Sequence, residues 1–229
     1  MTWPSAFSPG TLGYLKDRIA DEIARDDLTT QIAAAITDAI TIYQKERFRF
    51  SETRDVTWNT VVGQEFYTSS DNPAIASHFF IDYLVAFIGG IPTNLHQYTP
   101  DEIELLSQDP IQSGTPEGFA FYNEQIRLYP VPAAIYPMRM GAHVLIPAPA
   151  ADSTAGNRWM TDGERLIRAR TKYQLAVNFT YDQDEIAMNS PEIPDPGQRP
   201  GQAYLAYREL KGEANLVTST GGIIKAMNL

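Results

Sequence analysis

The chain has no cysteine among its 229 residues. That excludes disulfide cross-links and any thiolate chemistry, catalytic or metal-binding. Positive charge is scarce too: 18 Lys and Arg stand against 28 Asp and Glu, a formal net charge of −10. A general nucleic-acid binder carries a basic footprint, so this balance argues against one. Histidine is limited to His78, His96 and His143, far apart and in no HExxH or HxH pattern. No metal centre of regularly spaced ligands is expected from them. Long apolar runs are missing as well. The longest, Tyr83 to Pro92, is too short to cross a bilayer as a helix. The opening "MTWPSAFSPG" lacks a basic stretch followed by an apolar run, so it does not read as a signal peptide. These absences predict a soluble protein made in the cytoplasm, with no membrane association.

What is present is periodic. Leu12, Leu15, Ile19 and Ile23 recur at helical spacing and predict a helix from about Thr11 to Arg25. "RDDLTT" breaks it, and Asp27 or Thr29 can cap the next helix. In that helix Ile32, Ile36, Ala39, Ile40 and Tyr43 form one stripe. Two helices joined by a short polar turn are expected to pair as a hairpin. Phe48 falls out of this phase. Read with period two, Phe48 and Phe50 share one face and Arg47 and Arg49 the other. An extended segment is therefore expected to begin there, with Phe48 and Phe50 anchoring the exit from helix to strand.

From there to about Pro149 the signals are β. "DVTWNTVVGQEFYTS" suggests a hairpin about Gly63, and "FFIDYLVAFIGGIPTNLHQYT" a second about Gly89-Gly90. "TPDEIELLS" is a short helix, with Thr99 as N-cap, Pro100 in the first helical position and Glu102 closing a capping box. "GFAFYNEQIRLYPVP" predicts a hairpin at Asn123-Glu124, and "YPMRMGAHVLIP" one more strand. The small-residue run Ala148 to Asn157 is a connector. "TDGERLIRARTKYQLAVNFTYDQDEIA" then reads as one long helix. Leu166, Arg170, Tyr173 and Val177 lie on one stripe of it, with Leu175 and Phe179 opposite, which makes its second half apolar on two faces. The prolines from Pro191 to Pro200 must interrupt it. "QAYLAYRELKGEANLV" is a last helix, and the chain closes in a tail with no helical period.

The expected fold is α+β. A helical bundle is formed from both ends of the chain, residues 1–50 and 158–212. An antiparallel β-rich module, 51–150, is inserted between them, and an extended C-terminal arm spans 213–229. No catalytic constellation is found. There is no GxSxG elbow and no phosphate-binding glycine loop. Asp182, Asp184 and Glu185 lack the glycine and distal glutamate of a calcium loop and read as a solvated helix end. Glu102 and Glu104 have nothing placing them opposite each other as a glycosidase pair. Arg165, Arg168 and Lys172 share a helical face, on the side of Leu175 and Phe179. The first reading of these three cations is a solvated face paired with nearby acids, and the alternative is contact with an acidic surface or DNA. As a contact, the mixture of charge and apolar groups suits a protein interface between subunits better than a phosphate track.

Three stretches together resemble one family. "TLGYLKDRIADEIARDDLTTQIAAAITDAITIYQKERFRFSE" is similar to the opening of tailed-phage, podovirus-type head–tail adaptor or connector proteins, with their "RDDLT"-like turn and "RFxFxE"-like exit. "EQIRLYPVPAAIYPMRMGAHV" resembles the family's "LRLYPxP…Y" strand pair, and "NRWMTDGERLIRARTKYQLAVNF" its "W-hydrophobic-x-D…E-x-L-I-x-x-R" helix. The pieces lie in family order from about Thr11 to Phe179. The Pro-rich segment departs from the family's more regular helical run, which bears on the path of the chain beyond Tyr181.

The resemblance implies a structural virion protein with no enzymatic activity and no cofactor. It implies a homo-oligomeric ring of twelve copies under the portal protein, extending the DNA channel and docking tail or nozzle proteins. DNA would pass without specific binding. The tail, with Ile223, Ile224, Met227 and Leu229 at its apolar end, matches the position of an arm that reaches the portal. Two other readings compete: a tail-associated hydrolase using carboxylates of the β module, and a carbohydrate- or receptor-binding β module on a helical stem. Deleting Thr218 to Leu229 is expected to leave the monomer folded while portal attachment fails. A truncated chain that melts as an unfolded polypeptide by circular dichroism would place the tail in the core instead.

Overall fold

The computed structural model describes residues 5–107, 112–195 and 198–212. The chain is an α+β protein. Its helices are α1 (Leu12–Glu22), α2 (Thr29–Tyr43), α3 (Pro100–Leu106), α4 (Arg158–Thr161), α5 (Glu164–Leu175), α6 (Gln183–Asn189) and α7 (202–212). The chain divides into two compact units, residues 52–145 and residues 1–51 with 146–229.

The second of these is helical. Thr11 caps α1 by accepting a hydrogen bond from the Tyr14 N–H, and Ala24 ends that helical turn with a left-handed backbone, φ 51°. In α2 the stripe Ile32, Ile36, Ala39, Ile40 and Tyr43 is buried as its spacing predicts. The expected side-chain cap is not there. Leu28 occupies the N-cap position without a capping bond, because Asp27 is held by the Arg25 guanidinium instead. α2 packs chiefly against α5. At the end of α2 the predicted alternation holds: Phe48 is buried and Phe50 half-buried, while Arg47 and Arg49 are exposed. The backbone there is not extended, however. Arg49–Ser51 form a 3-10 turn, closed by the Ser51 N–H and hydroxyl donating to the Phe48 carbonyl. Phe48 and Phe50 stack on each other and meet Trp159 edge-on, at ring distances of 5.8 and 4.9 Å. Tyr207 of α7 closes the cluster against Phe48. The Trp159 indole N–H donates to the Ile146 carbonyl, which satisfies the one polar atom of a ring that is 1% exposed.

The long helix expected from Thr161 to Ala187 is broken. Gly163 separates α4 from α5, and α5 runs into a π-helical turn, Ala176–Thr180. The Tyr181 N–H reaches back five residues to the Ala176 carbonyl, and Tyr181 itself is left-handed, φ 53°. Asp182 then restarts the chain as α6, accepting from the Asp184 and Glu185 N–H groups. Past the proline-rich loop, Gly201 lets the chain cross beside Ser190. A Cβ there would fall 2.4 Å from the Ser190 carbonyl oxygen.

The remaining unit is β-rich. One sheet has the strand order β1-β10-β3-β4, from β1 (Glu52–Asn59), β3 (His78–Ile88), β4 (Ile91–Asn94) and β10 (Pro137–Val144). The other runs β2-β8-β7-β5, from β2 (Phe66–Tyr67), β5 (His96–Gln97), β7 (Gly118–Tyr122) and β8 (Gln125–Tyr129). A small pair joins β6 (Ser113–Gly114) to β9 (Val131–Pro132). Pairings are antiparallel except β5 with β7 and β6 with β9. Two expected hairpins are found: β3–β4 about Gly89 and Gly90, and β7–β8 about Asn123 and Glu124, all four residues at positive φ. The hairpin about Gly63 is not. β1 pairs with β10 and β2 with β8, because the backbone between them is bound elsewhere: Thr60 to the Tyr136 carbonyl and Gly63 to that of Pro132. The core holds Trp58, Tyr67, Leu84, Phe119, Ile126 and Met140. Thr99 and Glu102 form the predicted capping box on α3.

Phe48→Ala empties the centre of the aromatic cluster and is expected to lower stability by about 3–5 kcal/mol, in the range for deleting a buried ring. Arg49→Ala at the exposed neighbour should cost less than about 0.5 kcal/mol. Denaturant midpoints of the two variants check the contrast.

Candidate functional site

The polar groups that bear on catalysis are mostly engaged in holding the fold. In the β-rich unit His143 Nε2 lies 3.2 Å from an Asp82 carboxylate oxygen, both largely buried. His78 is buried against the Phe121 ring with Nδ1 on the Ala74 carbonyl, and His96 sits edge-on to Tyr98. The buried Arg127 joins Glu65 and Glu104. Glu102 is spent on the α3 cap, and Asp182 on α6. Among the described residues no group of three or more His, Asp or Glu could hold a metal ion. No described helix is long and apolar enough to cross a membrane.

The five residues expected to form a subunit interface are not brought together. Leu175 is 1% exposed and belongs to the helical core. The buried stripe of α5 is Ile167, Thr171 and Leu175, with Leu166 and Ala169. The alternative stripe through Tyr173 and Val177 is not the core face. Arg168 and Lys172 are turned into an internal network: both reach Glu22 at the end of α1, at 3.0 and 3.2 Å, and Arg168 also approaches Glu164. Their charge is matched inside the chain. Arg165 stays at the surface, bound to Glu209 and Gln202 of α7. Only Phe179 presents an apolar face, 48% exposed.

Phe179 has exposed apolar company that the periodicity did not reveal. Each residue of a π turn advances less around the axis than in an α-helix, so the phase of α5 is lost there. Val177, Phe179 and Tyr181 are exposed as a result, and Met188 and Ile193 follow further along the chain. A groove of the same unit is lined by Lys172, Tyr173, Ile186, Met188, Ile193 and Arg199, so Met188 and Ile193 are both exposed and part of it. Phe48 and Phe50, expected to anchor the helix-to-strand exit, pack within the helical unit. The candidate arm residues Ile223, Ile224, Met227 and Leu229 lie outside the described residues. A second exposed apolar region, also missed, is carried by Val61, Val62 and Ile135 of the β-rich unit.

Residues 11–222 match the family model of the SU10 adaptor protein. This chain belongs to that family. It is a phage head–tail adaptor protein, a structural component of the virion. Membership implies interaction with portal and tail proteins of the phage. A comparison of the sequence with curated proteins finds no match.

One titratable group of the adaptor predicts a pH response. Burial pushes the His78 imidazole below its ordinary value, against the opposing hydrogen bonds of the ring to the backbone of Ala74 and Ile75. The unfolded chain then binds the proton more readily than the folded one. His78 therefore contributes stability that is full above about pH 6.5 and is lost as pH falls toward the lower folded value. His78→Phe keeps the ring against Phe121 and should flatten the loss of stability between about pH 6.5 and 5. Denaturant midpoints at both pH values check it, and an unchanged slope would assign the acid response to other groups.

Proposed function

We propose that the adaptor is the subunit of a closed ring, which the resemblance puts at twelve copies, seated under the portal protein. The ring extends the DNA channel and docks the tail or nozzle proteins below. The family match over residues 11–222 carries this reading. A ring of identical subunits uses heterologous contacts, so each copy needs an exposed patch that finds a different surface on its neighbour. Exposed apolar side chains of the helical unit, Phe179 and Tyr181 on one segment and Met188 and Ile193 at the groove, supply the candidates for such a contact, with the Arg165–Glu209 pair also at the surface. Leu175, Arg168 and Lys172 act from behind it, setting the position of α5 rather than touching the neighbour.

Phe48 and Phe50 keep the exit from the helices into β1 in a fixed conformation. The arm ending in Ile223, Ile224, Met227 and Leu229 docks on the portal, where burying those apolar side chains would favour binding. The net charge of −10 favours a channel wall that does not hold passing DNA, because no excess of cations is available to displace its counterions.

Phe179→Asp combined with Ile193→Asp is expected to leave the thermal midpoint of the monomer nearly unchanged, since both side chains are exposed. Assembly should be lost: imaging of the variant mixed with portal protein should show portals without the coaxial ring expected for the natural chain. Rings of undiminished number would assign the subunit contact to another face.

A further inference from the structure

In the β-rich unit two loops are tied into one projection. Residues 60–64 and 132–136 are joined by backbone bonds from the Thr60 N–H to the Tyr136 carbonyl and from the Gly63 N–H to the Pro132 carbonyl. The Thr60 side chain, 1% exposed, adds two more: Oγ1 accepts from the Tyr136 N–H and donates to the Ala134 carbonyl. Underneath, the buried Tyr67 hydroxyl accepts from the Val61 N–H and donates to the Gln64 carbonyl. These bonds hold up to solvent three large apolar side chains, Val61, Val62 and Ile135, at 51, 59 and 68% exposure. Ala133 and Ala134 beside them are exposed too. Neither residues 60–64 nor residues 130–137 contain a charged side chain. Single exposed apolar residues are ordinary, but here they share one hydrogen-bonded tip. A preformed tip loses little conformational entropy on binding.

The charge around it narrows what can receive the tip. Residues 52–145 carry eleven carboxylates against three arginines and no lysine, a formal charge of −8 that is most of the chain's excess. All three arginines are near acids of the same unit: Arg54 with Glu52, Arg127 with Glu65 and Glu104, and Arg139 with Asp55. Asp71, an exposed acid, binds Gln64 at the foot of the tip. A complementary surface is apolar at its centre and basic at its rim. A second copy of this chain fits that description less well. Its β-rich unit is acidic, and the rest of the chain carries 17 carboxylates against 15 Lys and Arg, so exposed cations such as Arg49 and Arg199 lie on a unit with no net positive charge, where Lys16, Arg18, Arg25, Arg158, Arg168 and Lys172 are paired with its own carboxylates.

We propose that Val61, Val62 and Ile135 form a plug that seats in an apolar pocket with a basic rim on a different protein of the virion. The plug is separate from the ring contact proposed for the helical unit and does not depend on it. The test uses assembled particles carrying p-benzoylphenylalanine in place of Val62, irradiated and digested, with the cross-linked peptides identified by mass spectrometry. The expected adduct joins position 62 to an apolar segment flanked by Lys or Arg in another virion protein. In parallel, particles carrying Val62→Asp with Ile135→Asp should keep the adaptor but lose that protein by about tenfold or more, the cost of placing charge in an apolar pocket. The purified variant should melt as the natural chain does. An adduct with a second copy of the adaptor, with lipid, or none at all overturns the proposal, as does full retention of the cross-linked protein by the double variant. Rings that fail to form through the helical patch, with the cross-link still present, would overturn only the ring contact.

Discussion

The edge-on contact of Trp159 with Phe48 and Phe50 is the constraint from which the helical unit follows. It joins a segment before the β-rich residues to one after them, so both chain ends must contribute to a single core. Tyr207 from α7 extends the same cluster, and Lys211 lies over the Phe48 ring while its ammonium binds Glu46. That bond, with the Tyr207 hydroxyl as second donor, holds the Glu46 carboxyl below its usual range. Aromatic edge contacts fix ring orientation as well as burying area. The exit from α2 is set by this packing and not by a helix signal of its own.

Charge is organised on the same principle, with acids serving as internal connectors. Glu22 gathers Arg18, Arg168 and Lys172, drawing α1 to α5. Arg127 gathers Glu65 and Glu104 in the β-rich unit. Two cations expected at an interface, Arg168 and Lys172, are thereby drawn into the architecture, while apolar side chains such as Phe179 and Ile193 stay exposed. This suits a family whose work is docking: exposed apolar side chains supply contact area, while the excess acid selects which partners can approach.

Local signals were legible. The α2 stripe, the capping box at Thr99, and the turns at Gly89-Gly90 and Asn123-Glu124 each depend on residues a few positions apart, and all are found. Three stretches in order were enough to point to the adaptor family. The failures have a common cause. Gly63 does mark a turn, but its flanking strands pair with β10 and β8, partners far along the chain that no local pattern names. The stripe on α5 was misphased because Arg170 and Tyr173 fit a helical period as well as Ile167, Thr171 and Leu175 do. Which stripe faces inward depends on where α2 lies.

By itself, the sequence determined the α+β class, the family, the absence of thiol chemistry, and the acidic excess, because composition and short-range periodicity carry those. Only the tertiary structure decided which cations are free and which are neutralised, since an ion pair such as Arg168 with Glu22 joins residues with no sequence relation. It also decided which apolar residues remain outside. The π turn at Ala176–Thr180 changes the phase that a helical reading assumes, and the bonds of Thr60 and Tyr67 hold Val61 and Val62 in solvent where a strand reading would have folded one of them in. Exposure is a property of what fails to cover a side chain, and that is settled by the packing of distant segments.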